Sequence, residues 1–234
     1  MYNIAMYDEL KRSVYATIGQ DRTGHGVDHV ERVLHLTEKF AKQEQANLEM
    51  ARLIALLHDV DDYKIYGQRA AAELPNARRF LSHTALSTAD QDQILAEIQR
   101  IGYKKRLAGI TPQTIEGKIV SDADMCDSMG AVSIVRACEF GFHKQRKFFR
   151  RDTFPSSSPL DQPAHNQRIA TIHHFFDKVL RLKSMMLTKS GQEEAAARHD
   201  FTIDFLRNYF QNEDAPEWLQ YLDDYLAKQN DNDR

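Results

Sequence analysis

Ala51-Arg52-Leu53-Ile54-Ala55-Leu56-Leu57-His58-Asp59-Val60 is an apolar run with helical patterning that ends on a histidine and an aspartate. Polar groups at the end of such a run are costly to bury unless something binds them. Two more metal-capable residues occupy comparable settings. His29 shares helical phase with Val33, Leu36 and Phe40, and Asp124 lies four residues after Val120 in the stretch that carries Ile115, Ile119, Val120 and Ala123. These spacings place each side chain on the inward face of its own helix. Two imidazoles and two carboxylates from three helices suit a borderline or hard divalent ion, Mn²⁺, Fe²⁺, Ni²⁺, Co²⁺ or Mg²⁺. They suit structural zinc less well, because such sites favour thiolates. On an octahedral ion, four protein ligands leave positions for a water and a substrate oxygen, as hydrolysis requires. Taken singly, a buried histidine is more often a satisfied core residue, and Asp124 alone could cap a helix end. The adjacent His58-Asp59 pair resists such a plain explanation.

Outward from this stretch the pattern is helical nearly throughout. Helices are expected over 2–18, 27–41, 48–60, 67–82 and 87–102, from Thr111-Pro112 to Asp124, and over 169–187, 193–210 and 216–227. Ser87-Thr88-Ala89-Asp90 reads as a capping box with Asp in place of Glu. A long loop around 140–163 contains Phe154-Pro155-Ser156-Ser157-Ser158-Pro159, which no helix tolerates. No alternating strand pattern occurs, so the expected fold is all-α. One domain is expected, with a motif core over about 24–130 and C-terminal helices over 165–228 packed on it.

Composition narrows the function classes. The net charge of −3 gives no argument for nucleic-acid or anionic-membrane binding. No apolar run approaches membrane-spanning length, and the first residues do not read as a secretory signal. Cys126 and Cys138 sit in apolar helical sequence and are expected as reduced thiols. A cytoplasmic protein follows as the default, with a homodimer left open.

The order His29, His58-Asp59, Asp124 resembles the HD-domain phosphohydrolase superfamily, an all-helical group whose H…HD…D residues bind a divalent metal. The local wording agrees at His29-Val30-Glu31-Arg32-Val33 and at Glu116-Gly117-Lys118-Ile119-Val120-Ser121-Asp122-Ala123-Asp124. More narrowly, the chain is similar to stand-alone bacterial HD hydrolases of about this length. That similarity takes in Gly130-Ala131, Arg136-Ala137, His174-Phe175-Phe176-Asp177-Lys178, Met186, Thr188, Gly191 and Arg198. It implies hydrolysis of nucleoside triphosphates with release of pyrophosphate, and a cavity position for His174. The chain departs from the resemblance at Ile101-Gly102-Tyr103-Lys104-Lys105, where relatives often carry His-Ser. Only His83 lies between the HD pair and Asp124, which argues for one metal rather than two.

Accessory roles follow from position. Asp62 is the candidate proton acceptor, and Asp59 belongs with the catalytic residues. His25, four residues before His29, and Lys118, six before Asp124, are candidate substrate contacts. Arg32 is expected at a carboxylate or a phosphate. Lys144 and Arg146 lie in Phe142-His143-Lys144-Gln145-Arg146-Lys147-Phe148-Phe149-Arg150-Arg151, where cations and aromatics could hold phosphates and stack a base. The expected substrate is a small phosphorylated molecule such as a nucleotide. Two other readings stand beside it: an alarmone hydrolase, whose Glu-Asp after the HD pair Asp61-Asp62 approximates, and a non-catalytic nucleotide- or nucleic-acid-binding regulator.

Overall fold

The computed structural model describes residues 4–19, 26–155 and 170–232; among them every regular element is helical and no strand occurs. The all-α expectation holds. No described helix is long and apolar enough to cross a membrane. The chain groups into two compact units, Met1–Asp127 with Leu187–Gly191, and Ser128–Met186 with Gln192–Arg234.

The first unit contains α1 (Ile4–Ile18), α2 (Val27–Gln43), α3 (Leu48–Leu57), α4 (Tyr63–Glu73), α5 (Pro75–Ser82), α6 (Thr88–Ile98), α7 (Tyr103–Leu107) and α8 (Ile115–Asp127). Its core is α3, whose Ala51, Leu53, Ile54, Ala55, Leu56 and Leu57 are all buried. A helix buried nearly all round must be covered on several sides, and α2, α6 and α8 pack on it. α2 turns Val30, Val33, Leu34, Leu36, Phe40 and Ala41 inward. The Asn47 side chain caps α3, accepting from the amides of Glu49 and Met50 at 3.1 Å each. Ser87 caps α6: its Oγ accepts from the Asp90 amide (3.2 Å) and donates to Asp90 Oδ2 (2.7 Å).

The helix expected over 87–102 ends at Ile98 and is followed by the separate α7; three further expected boundaries move because a polar side chain or a proline intervenes. The helix expected over 48–60 stops at Leu57. Asp61, 3% exposed, is drawn to the start of α5, where its carboxylate accepts from the amides of Asn76 (3.1 Å) and Ala77 (2.9 Å) and from Asn76 Nδ2 (2.9 Å). The helix expected over 67–82 is two helices, because Pro75 opens a new one and Leu74 before it takes φ 52°. The helix expected from Thr111-Pro112 begins at Ile115. Buried Glu97 of α6 holds the amides of Gln113 and Thr114 (3.0 and 3.2 Å), and Thr114 Oγ1 caps Gly117 N at 3.1 Å. Asp61→Ala should cost about 1–2 kcal/mol by stripping the α5 cap. It should shift the denaturant midpoint and leave metal affinity intact.

The second unit holds α9 (Gly130–His143), α10 (His173–Asp177), two 3-10 turns (Val179–Arg181 and Lys183–Met185), most of α11 (Lys189–Asn212), and α12 (Pro216–Asn232). Its core is aromatic. Trp218 is fully buried, stacks on Phe154 (4.6 Å between centroids) and donates Nε1–H to the Arg151 carbonyl at 3.0 Å. The helix expected over 169–187 is broken into α10 and the two turns, and the Phe176 carbonyl accepts from Tyr225 Oη at 2.6 Å. The break expected from 140 begins at Lys144, since α9 runs through His143; residues 156–163 of that loop lie outside the described residues. Cys126 and Cys138 are both free thiols, as expected.

Candidate metal centre

α2, the turn after α3, and α8 bring the four sequence-predicted ligands together in the first unit. His29 Nε2 lies 3.2 Å from His58 Nε2, 3.3 Å from Asp59 Oδ2 and 3.5 Å from Asp124 Oδ1; His58 Nε2 lies 3.5 Å from Asp59 Oδ2. The early end of α3 produces this geometry: leaving the helix at Leu57 lets His58 and Asp59, adjacent in sequence, aim at one point.

The tautomers follow from the outer partners. His58 Nδ1 lies 2.7 Å from the Ala55 carbonyl, which can only accept, so Nδ1 carries the proton. His29 Nδ1 lies 2.7 Å from Asp127 Oδ2, an acceptor carboxylate, so it too donates. Both rings therefore direct Nε2 inward, towards each other and, for His29, towards the Asp59 and Asp124 carboxylates. His29 Nε2 thus sits 3.2–3.5 Å from His58 Nε2 and from one oxygen each of Asp59 and Asp124, an arrangement that a shared cation would satisfy. The pull shows in His29: burial lowers its pKa, but the Asp127 and Asp59 hydrogen bonds and the nearby Asp124 carboxylate outweigh this and lift it to about 9. The spacings match a metal site. Bonds of about 2.1 Å place neighbouring ligand atoms about 3.0 Å apart in an octahedron and about 3.4 Å apart in a tetrahedron. The residues present thus fit a divalent cation.

Asp127 is the functional residue that spacing arguments about the four ligands pass over. It is fully buried, and its carboxylate also accepts from Arg32 Nε (2.5 Å) and Nη2 (3.1 Å). Burial alone would raise its pKa, but the His29 and Arg32 hydrogen bonds hold the carboxyl well below the ordinary range. Carboxylate-histidine-metal relays of this kind fix the ring and increase its basicity as a ligand.

Residues 26–129 match the HD domain family. Over 208 residues the chain is 29% identical to YpgQ of Bacillus subtilis, covering 88% of this chain and 93% of that one. Its structure is similar to that of a Lactobacillus plantarum protein (28% identity, 92% and 100% of the two chains, TM-score 0.74). It is also similar to YpgQ in complex with ADP (27%, 89% and 95%, TM-score 0.67) and to an HD-superfamily hydrolase of Bacillus thuringiensis (25%, 89% and 96%, TM-score 0.70). The fold is that of an HD-superfamily hydrolase.

Within the HD domain the histidine side of the cluster is closed and the carboxylate side is open. His29 and His58 side chains are 3% and 1% exposed, Asp59 and Asp124 15% and 22%. Asp62 is half-buried at the start of α4, its amide donating to the Asp59 carbonyl at 3.1 Å. Arg32, expected at a carboxylate or a phosphate, holds the Asp127 carboxylate. Lys118 is half-buried on α8, and His83 is exposed, with Nδ1–H directed to the Arg79 carbonyl (2.7 Å). His25 lies outside the described residues.

The other candidates are in the second unit. Lys144 is exposed, its ammonium 5.8 Å from the Phe140 ring centre; Arg146 and His174 are half-buried. Phe148 and Phe149, expected as base-stacking rings, instead pack in the aromatic core. Phe148 lies 5.0 Å from Tyr209, and Phe149 lies 5.1 Å from Trp218. Two aromatics of the basic-aromatic segment are thus spent on folding, while Phe142 is exposed.

Proposed function

We propose that this chain is a metal-dependent phosphohydrolase acting on nucleotides, with release of pyrophosphate from nucleoside triphosphates as its reaction. The observation that carries the reading is the cluster of His29, His58 and Asp59, with Asp124 Oδ1 3.5 Å from His29 Nε2, more exposed on its carboxylate side. The similarity to YpgQ, a protein crystallised with ADP, supports a nucleotide as the ligand. His29, His58, Asp59 and Asp124 would hold one divalent ion, Mn²⁺, Fe²⁺, Ni²⁺, Co²⁺ or Mg²⁺. Such an ion, when bound, lowers the pKa of a water and polarises a phosphoryl oxygen.

The remaining work falls to this chain. Asp127 and Arg32 keep the His29 ring in register. Asp62 takes the proton of the attacking water at its carboxylate, while the water oxygen bonds to the α-phosphorus and the bond to the bridging oxygen of the departing pyrophosphate breaks. Lys118, His25 and His174 are further contacts for the substrate in this reading, and Lys144 and Arg146 further cations. The alarmone alternative draws less support, because Asp61, one of its two acids, is committed to capping α5. The regulator alternative loses Phe148 and Phe149 to the aromatic core.

The test is a panel of ribo- and deoxyribonucleoside mono-, di- and triphosphates assayed with each of the five metals. Products should be nucleoside monophosphate and pyrophosphate in equal amounts. Release of inorganic phosphate alone would replace this reaction with a phosphatase, and no turnover with any metal would overturn the reading.

A further inference from the structure

Leu187–Gly191 belongs to the first unit, although 65 residues separate Leu187 from Asp122 of α8. Hydrogen bonds bring it there. Fully buried Asp122 accepts from the amides of Leu187 (2.9 Å) and Thr188 (2.8 Å) and from the Thr188 hydroxyl (2.8 Å). That hydroxyl accepts in turn from the Gly191 amide (3.0 Å), which caps the first turn of α11. Cys126, one turn beyond Asp122, directs its thiol at the Gly191 carbonyl (3.9 Å). The Ser190 amide donates to Glu44, just past the end of α2 (2.7 Å). The strap therefore ties α8, which carries Asp124, to α2, which carries His29.

Helical phase sorts the faces of α8. Asp122 and Cys126, four apart, share the face that the strap holds. Asp124 and Asp127, three apart, share another, and there Asp127 meets His29 and Arg32. Gly191 shows how closely the strap fits. A Cβ at this position would lie 2.3 Å from Asp122 Oδ2 and 2.7 Å from Asp122 Cβ, and the three donors leave that side chain no room to swing away. Glycine is needed here for close approach. Small errors in α8 reach the ligand. An oxygen about 5–6 Å from a helix axis moves about 1 Å for a 10° rotation, about twice the tolerance of a preorganised site, ~0.5 Å. Thr188 and Gly191 fall outside the matched residues 26–129, and neither the four ligands nor the proposed reaction uses them.

We infer that the strap Leu187–Gly191 is a positioning element of the metal centre. Through Asp122 it fixes the rotation and axial position of α8, and with them the Asp124 ligand and the Asp127 partner of His29. Thr188 and Gly191 are its positioning residues. The inference rests on the metal centre of the proposed function and adds that this centre depends on a segment beyond the HD match.

The test is Mn²⁺ titration of the whole chain, following free and bound ion by electron paramagnetic resonance. Wild type is compared with Thr188→Val, Thr188→Ser and Gly191→Ala. Asp61→Ala, which strips a buried cap elsewhere in the same unit, controls for lost stability alone. Thr188→Val and Gly191→Ala should each weaken Mn²⁺ binding by about 3–30-fold and alter the spectrum of the bound ion. Thr188→Ser, which keeps the hydroxyl, should restore both towards wild type, and Asp61→Ala should keep wild-type affinity. Wild-type affinity and an unchanged bound-ion spectrum in Thr188→Val and Gly191→Ala, with only the thermal midpoint lowered, would overturn the inference and leave the metal centre standing. Should the buried changes prevent folding, Glu44→Ala on the half-buried end of α2 decides instead: weaker Mn²⁺ binding supports the inference and wild-type binding overturns it. Failure of the wild-type protein to bind Mn²⁺ would overturn both readings.

Discussion

His58→Ala and Asp59→Ala should each abolish nucleotide hydrolysis, with a fall in kcat/KM on the order of 10³-fold or more, equivalent to about 4 kcal/mol of barrier. The size follows from the geometry. Each residue supplies a ligand atom to a cluster in which His29 Nε2 is 3.2 Å from His58 Nε2 and 3.3 Å from Asp59 Oδ2. Removing either leaves the ion with too few protein ligands to be held at working concentrations. Steady-state kinetics at saturating metal, with circular dichroism to confirm folding, makes the measurement. His58 carries a specific risk, because its ring also hydrogen-bonds the Ala55 carbonyl at the end of α3. His58→Gln is therefore the companion variant. Wild-type turnover in folded Asp59→Ala would show that the chemistry occurs elsewhere.

Asp127→Asn should weaken Mn²⁺ binding by about 10–100-fold while leaving the four ligands in place. Asparagine keeps the shape but offers only one acceptor oxygen, whereas Asp127 accepts from His29 Nδ1 and from two nitrogens of Arg32. Either the His29 ring loses its orienting partner or the guanidinium does. A stability loss of about 1–3 kcal/mol should accompany the change, because a buried donor is left unmatched. Asp61→Ala separates the two effects: it destabilises through the α5 cap without touching the cluster. If Asp127→Asn retained wild-type Mn²⁺ affinity, Asp127 would be a packing residue and not part of the metal centre.

Much of this centre is legible in the chain because burial and helical phase speak together. His29 falls in phase with Val33, Leu36 and Phe40, and the structure buries all four on α2. The His58-Asp59 pair stands out because it ends a run that has no polar face. Asp127 was readable too, three residues after Asp124 on the same helix, but a second inward carboxylate carries no signal of which histidine it serves. The helix boundaries that moved depend on partners far along the chain. Asp61 ends the α3 segment by capping a helix that starts 14 residues later, and Glu97 delays α8 by holding the amides of Gln113 and Thr114. Pro75 is a local signal that divides one continuous apolar period into two helices. The segment with Phe148 and Phe149 shows the converse limit: an aromatic beside a cation looks alike whether it stacks a ligand or fills a core. Only the packing against Tyr209 and Trp218 distinguishes them.

The most direct measurement is titration of Mn²⁺ into metal-stripped protein, following the free ion by electron paramagnetic resonance, for the wild type and Asp59→Ala in parallel. One ion should bind per chain of the wild type, and that binding should be lost in the variant. No binding by the wild type, or equal binding by both proteins, would contradict the assignment of His29, His58, Asp59 and Asp124 as a single metal centre.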